Sequence, residues 1–233
     1  VHFTNTVTEI LLGRAAHLQH TKLQEENSKS FHVCAIEVRQ GADSFFASHA
    51  LSLGAALSRH DINTHFDGPG GTCEMNGLYL GVARQHMDFH TRIYHAHPNC
   101  TSRQHYKGIL DDHARGVFNG QVHVLPDAQK SDAEQSNHNL LLSKNAEIDT
   151  KPQLEINADD VKCAHGTTVG QLDDTMLFYL RSRGIPDPQA RGLLTYGFAH
   201  DVVERVPLSS LREYLEHVLV EILPYGDEIK ELI

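Results

Sequence analysis

For its first 170 residues the chain offers short alternating apolar runs separated by turn signals, with no helical pattern of about 10–15 residues between them. Val33, Ala35 and Glu37 alternate with Cys34, Ile36 and Val38, and similar runs stand at Leu51–Leu53, Leu78–Leu80, Val122–Val124, Leu140–Leu142, Leu154–Ile156 and Val161–Cys163. Between them lie Asp67-Gly68-Pro69-Gly70-Gly71, Asn76-Gly77, Asn119-Gly120 and Leu125-Pro126-Asp127, read here as turns. Runs of this length fit strands, so this part is mainly β. Two architectures satisfy it: a sandwich or cupin-like barrel, or a solenoid of parallel coils. No strict repeat is visible, so periodicity does not choose between them.

The pattern changes at Leu172. Asp173 or Asp174 can cap a helix with Met176, Leu177, Phe178 and Leu180 as apolar positions, stopped at Gly184 after Arg181 and Arg183. A second helix is expected after Asp187, with Pro188 at its first position, ending before Pro207. A third begins near Ser209 or Ser210, with Ser210 and Glu213 at capping-box spacing, and ends at Pro224 or Gly226. The expected organisation is a β-domain over residues 1–171 and a helical domain over 172–233.

Bulk properties exclude some classes. The chain has 233 residues and a formal charge of −10, with no basic face, so nucleic acid is not an expected partner. No apolar run reaches the roughly 18 residues needed to span a bilayer, so no membrane partner is expected. The four cysteines, Cys34, Cys73, Cys100 and Cys163, are scattered without a C-x-x-C pair, which fits reduced thiols in the cytoplasm better than a disulfide framework or a four-cysteine zinc site. No signal peptide is present, and a start at Val1-His2-Phe3 fits a chain cut from a longer one.

The chemistry-bearing candidates are few. Cys163 and His165 lie at i and i+2, so on a strand they face one way, roughly 6.6 Å apart, and thiolate and imidazole both suit iron, zinc or copper. Spacing alone favours a cysteine that packs and a histidine with an ordinary hydrogen bond. His95 and His97 form a second pair, usable by a cupin-like metal-dependent enzyme, but no carboxylate follows them. His86 and His90 form a third. The glycine-rich Asp67–Gly71 lacks a following Lys-Ser/Thr and is not a phosphate loop, and the acidic pairs Asp111-Asp112 and Asp159-Asp160 fit solvated turns. No set of nucleophile, base and orienting group appears, so no enzyme is expected. Phe178, Tyr179, Arg181 and Arg183 combine aromatics with arginines as interface anchors do, or else pack on the β-domain.

Five stretches, "TNTVTEILLG", "LQEEN", "TSRQHYKGILDDHARGVFNGQVHVLPDAQKSDAEQSNHNLLLS", "AEIDTKPQLEINADDVKCAHGTTVGQLDD" and "LFYLRSRGI", resemble the SufB/SufD family of iron–sulfur cluster assembly proteins, over residues 4 to about 205. The Cys163–Thr168 string and the L-R-S-R-G at Leu180–Gly184 are similar to SufD-type rather than SufB-type members. The resemblance implies a right-handed parallel β-helix with a C-terminal helical domain. It implies a non-enzymatic scaffold that pairs with a SufB-like subunit through the β-helix and docks a SufC-like ABC-type ATPase through the C-terminal helices. It places Cys163 and His165 in the family's C-x-H motif, with the histidine at the SufB interface and implicated in cluster formation. It assigns Phe178, Tyr179, Arg181 and Arg183 to SufC contact. A transient iron–sulfur cluster is then expected in the complex and no stably bound cofactor on the isolated chain, which is also a candidate for homodimerisation through its strand edges.

Overall fold

The computed structural model describes residues 1–232. Among these residues the first six strands are β1 (Phe3–Leu12), β2 (His17–Gln24), β3 (Phe31–Gln40), β4 (Phe45–Ser52), β5 (Leu57–Phe66) and β6 (Thr72–Gly81). Six more follow: β7 (His86–His95), β8 (Thr101–Leu110), β9 (Arg115–Val124), β10 (Asp132–Leu141), β11 (Glu147–Ile156) and β12 (Lys162–Gly170). Odd-numbered strands form one parallel sheet in the order β1-β3-β5-β7-β9-β11, and even-numbered strands a second in the order β12-β10-β8-β6-β4-β2. Each odd–even pair is one coil, so the chain winds through six coils of a β-solenoid. The barrel alternative falls with this topology, because every strand pair in both sheets is parallel.

The repeat exists in the backbone. Register partners run Phe3, Phe31, Leu57, His86, Arg115, Glu147 in one sheet and His17, Phe45, Thr72, Thr101, Asp132, Lys162 in the other. Coil length therefore varies between 26 and 32 residues. Two residues before each of β2, β4, β6, β8 and β10 stands a residue with positive φ: Ala15, Asp43, Gly70, Asn99 and Lys130. A left-handed conformation costs a non-glycine residue about 1–2 kcal/mol. Each is held by its own N–H, which donates across to the next coil: Ala15 to Ala42 O at 2.9 Å, Asp43 to Pro69 O at 2.9 Å, Gly70 to Pro98 O at 3.2 Å, Asn99 to Gln129 O at 3.0 Å and Lys130 to Asp160 O at 2.6 Å.

The bore is filled by inward residues of both sheets. Phe46, Phe66, Tyr79, Phe89, Tyr106 and Phe118 are fully buried, and Tyr79–Phe89 and Tyr106–Phe118 rings lie 5.3 and 5.1 Å apart. Burying each such ring contributes on the order of 2–3 kcal/mol. Asn76-Gly77 and Asn119-Gly120 are not turns; they lie inside β6 and β9. A glycine is needed at 77 because a Cβ there would meet Tyr106 Cε1 at 2.2 Å, so the residue marks a close approach rather than a bend.

The C-terminal segment forms α1 (Asp174–Ser182), α2 (Asp187–Val203), α3 (Ser209–Ile222) and α4 (Gly226–Ile229). Asp173 caps α1, accepting from the Thr175 and Met176 N–H groups. Gly184 ends it at φ +88°, with Ile185 N–H donating to Leu180 O and Gly184 N–H to Arg181 O. Pro188 is the second residue of α2, not the first, because Pro186 occupies the N-cap. α3 begins at Ser209, one of the two expected starts, but the capping box of Ser210 and Glu213 does not form, because Leu208 is the N-cap and no side chain caps the helix. The helices cover the outer face of the second sheet, where Leu51, Leu78, Leu80, Ile109 and Leu140 share an apolar cluster with Ala199, Val202, Val203, Leu215 and Leu219. No described helix is long and apolar enough to cross a membrane.

Candidate functional site

Among the described residues, β12 pairs with β10 alone, so it ends the second sheet. Cys163 and His165 are register partners of Ala133 and Gln135, both buried inward residues of β10. The period-two pleat therefore turns the pair toward the bore, at the coil that no further coil covers among the described residues. Cys163 is half-buried and packs against the cluster of Val122, Val124, Ala128, Ala133 and Ala158, while His165 is exposed. Burial, with the nearby Asp132 charge, pushes the Cys163 thiol up. On the same end face, Thr167 of β12 reaches Thr150 of β11 at 3.1 Å, joining the two sheets. A thiol and an imidazole on one face can offer two ligands to iron, and no third His, Cys, Asp or Glu among the described residues converges with them.

Phe178, Tyr179 and Arg181 lie on α1, whose one buried residue is Leu177, and Arg183 is its C-cap. Phe178 is 71% and Tyr179 56% exposed, and the Arg183 guanidinium stands 5.2 Å over the Tyr179 ring. Arg181 approaches Asp187 at 3.6 Å. All four side chains are exposed, and Tyr179 and Arg183 are in contact.

Among the described residues, neither of the other histidine pairs gathers three ligand groups. His95 ends β7 fully buried, with Nε2 2.8 Å from Ser102 Oγ, and burial pushes it down to about 4. His97 lies beyond the strand end, so the two do not share a strand face as the cupin reading requires. His86 and His90 are both half-buried, and His90 meets Asp88 at 2.9 Å.

One grouping was missed by the sequence reading. His32, Cys34 and His60 bring their ligand atoms within 4.8 Å of one another in the bore, the only such trio among the described residues. The signal was an H-x-C at 32–34 with His60 one coil later, as legible as the C-x-H at 163–165 once the coil length is known.

Residues 1–198 match the family model described as "SUF system FeS cluster assembly, SufBD core domain". The chain is 41% identical over 225 residues to the iron–sulfur cluster assembly protein SufD of Escherichia coli, covering 97% of this chain and 53% of that protein. It is 41% identical over 211 residues to an iron–sulfur cluster assembly SufBD family protein of Synechocystis, covering 91% and 47%. It is 30% identical over 218 residues to SufD of Bacillus subtilis, covering 92% and 49%. The chain thus spans about half the length of the curated relatives it matches.

Proposed function

Because the chain belongs to the SufBD family of iron–sulfur cluster assembly proteins, we propose that it is a non-enzymatic scaffold of the SufD type that completes a cluster-building site together with a SufB-like subunit. The carrying observation is the placement of Cys163 and His165: two ligand types suited to iron, side by side in the inward column of the last coil, with His165 exposed. Iron bound by thiolate and imidazole takes four ligands, so two from this chain make half a site and the partner supplies the rest. Iron and sulfide are cargo here, and the isolated chain does not retain a cluster.

The open edge of β12 supports pairing through the β-helix, since its unpaired N–H and C=O groups can extend the sheet into a second chain. The same edge would serve a second copy of this chain when the partner is missing. The exposed Phe178, Tyr179, Arg181 and Arg183 support docking of a SufC-like ABC-type ATPase on α1. Four free thiols, three of them buried, support a reducing cytoplasmic setting.

The test is reconstitution with SufB-like and SufC-like partners, ATP, ferrous iron and a sulfide source, following cluster formation by visible absorption. His165→Ala should melt like the wild type, because its side chain is exposed, and should lose most of the cluster yield. An unchanged yield would overturn the assignment.

A further inference from the structure

Cys34 and His60 are register partners on β3 and β5, and His32 lies two residues before Cys34 on the same inward column. Cys34 Sγ stands 3.3 Å from His60 Nδ1. That is close to the edge of a tetrahedron built on a metal, about 3.5 Å for one sulfur and one nitrogen ligand. Each imidazole is also held by its other nitrogen. His32 Nδ1 is 2.7 Å from Glu26 Oε1, and His60 Nε2 is 2.9 Å from Ser58 Oγ. This is the arrangement of metal-binding histidines, whose second nitrogen is tied to a carboxylate or other polar partner that orients the ring. It leaves His32 Nε2 and His60 Nδ1 aimed at the space beside Cys34.

A cation already stands there. Lys22, reaching across from the facing sheet, places Nζ 2.5 Å from His32 Nε2, and its charge opposes the upward push that burial gives the Cys34 thiol. His32, Cys34 and His60 are all at least 96% buried, whereas Lys22 is half-buried and can swing toward solvent. Two imidazole nitrogens and a sulfur around one positive charge are a donor set for a borderline-soft ion, not for magnesium or calcium.

We propose that His32, Cys34 and His60 form a binding site for one divalent transition-metal ion of the zinc and iron(II) class, which enters by displacing the Lys22 ammonium. The Cys34 proton leaves to solvent as the metal–sulfur bond forms. The site lies in the bore of the second and third coils, on strands other than the one carrying Cys163 and His165, and it does not rest on the assembly reading. It departs from the expectation that the isolated chain holds no metal.

Cobalt(II) is the probe, added to the full chain in a Cys163→Ser background so that the last-coil thiol cannot contribute. One equivalent should bind and give the near-ultraviolet sulfur-to-cobalt charge-transfer band and the visible bands of a four-coordinate ion. Cys34→Ser should abolish the charge-transfer band. Glu26→Gln, at a partly exposed position, should weaken binding by about 10-fold or more, and Lys22→Met should tighten it several-fold. Where Cys34→Ser does not fold, X-ray absorption of the cobalt-loaded Cys163→Ser protein decides: one sulfur with nitrogen neighbours supports the site, and a shell of oxygen and nitrogen alone overturns it. A charge-transfer band that survives in folded Cys34→Ser also overturns it, as does failure of both zinc(II) and anaerobic iron(II) to displace cobalt. His165→Ala should leave the cobalt spectrum unchanged, so loss of cluster assembly and loss of this site are separate results.

Discussion

Lys107 on β8 and Asp201 on α2 meet at 2.9 Å, and the same ammonium donates to the Phe198 carbonyl at 3.2 Å and sits 4.5 Å over the Phe198 ring. One lysine thus fastens the helical layer to the second sheet. Partial burial works against the Asp201 charge, but hydrogen bonds from Lys107 and His105, with their charges, outweigh it and draw the carboxyl down to about 2. A carboxylate held below its ordinary value near 4 stabilises the fold above that value and loses its contribution as pH falls toward 2. Because Asp201 is 39% exposed, Asp201→Asn should cost only about 1 kcal/mol at neutral pH. Urea melts should show the wild type's advantage shrinking between about pH 4 and pH 2; an advantage constant with pH would contradict the pairing.

Gly108 faces Tyr79 as Gly77 faces Tyr106, glycine and ring exchanging places between neighbouring coils. A Cβ at Gly108 would lie 2.2 Å from Tyr79 Cε2 and 2.6 Å from Asn139 Oδ1. Gly108→Ala should therefore destabilise by about 1–3 kcal/mol or more, as overpacking does. Gly166→Ala is the control, since nothing lies within 4 Å of its Cβ position. Equal melting temperatures for the two variants would show that the tyrosine ring yields.

His49 and His95 give the fold a mild acid limit. Burial first, then the Arg205 and His20 charges, push His49 down to about 4; burial takes His95 to about 4 against the opposing Asp132 charge. The unfolded chain takes up these protons near pH 6.5 and the folded chain does not, so stability falls between about pH 6.5 and pH 4, by up to about 3 kcal/mol per histidine. His95→Gln should flatten part of this slope in melts taken across that range. An unchanged slope would mean that His95 is protonated in the folded state.

Phe178→Ala with Tyr179→Ala removes two exposed rings and no core contact. The melting temperature should stay within a few degrees of the wild type, while affinity for the SufC-like ATPase proposed to dock there should fall at least about 10-fold, as loss of aromatic anchors does. Calorimetry reads both quantities, and retained affinity would move the docking surface off α1.

Strand content was legible where the inward column is apolar, as at Cys34, Ile36 and Val38 on β3. It was not legible on β5, whose inward residues Ser58, His60, Ile62, Thr64 and Phe66 are mostly polar or aromatic, so polarity does not alternate along the strand. The solenoid was legible through the family resemblance and not through periodicity, because the left-handed corner is held by five different residue types and the coil length drifts. Corner geometry comes from a backbone hydrogen bond that any residue except proline can make. The helix caps at Asp173 and Gly184 follow from local chemistry and were readable. The α3 start at Ser209 was readable too, but its cap was not, because Leu208 and not Ser210 stands there. For the sites, the strand register was the missing information. It aligns His60 with Cys34 across 26 residues, and it turns Cys163 and His165 toward the end of the bore.

A stack in which each coil touches only its neighbours behaves as a one-dimensional chain of units, and such chains fray from their ends. β12 has a neighbour on one side only among the described residues, so its amides should exchange with deuterium well before those of β6 or β8. The coil that carries Cys163 and His165 is then the one with most order to gain when another strand is laid against it. Ligand geometry would be set at the moment of capture, and a chain without its partner would present these two side chains on a loosened edge that holds iron poorly.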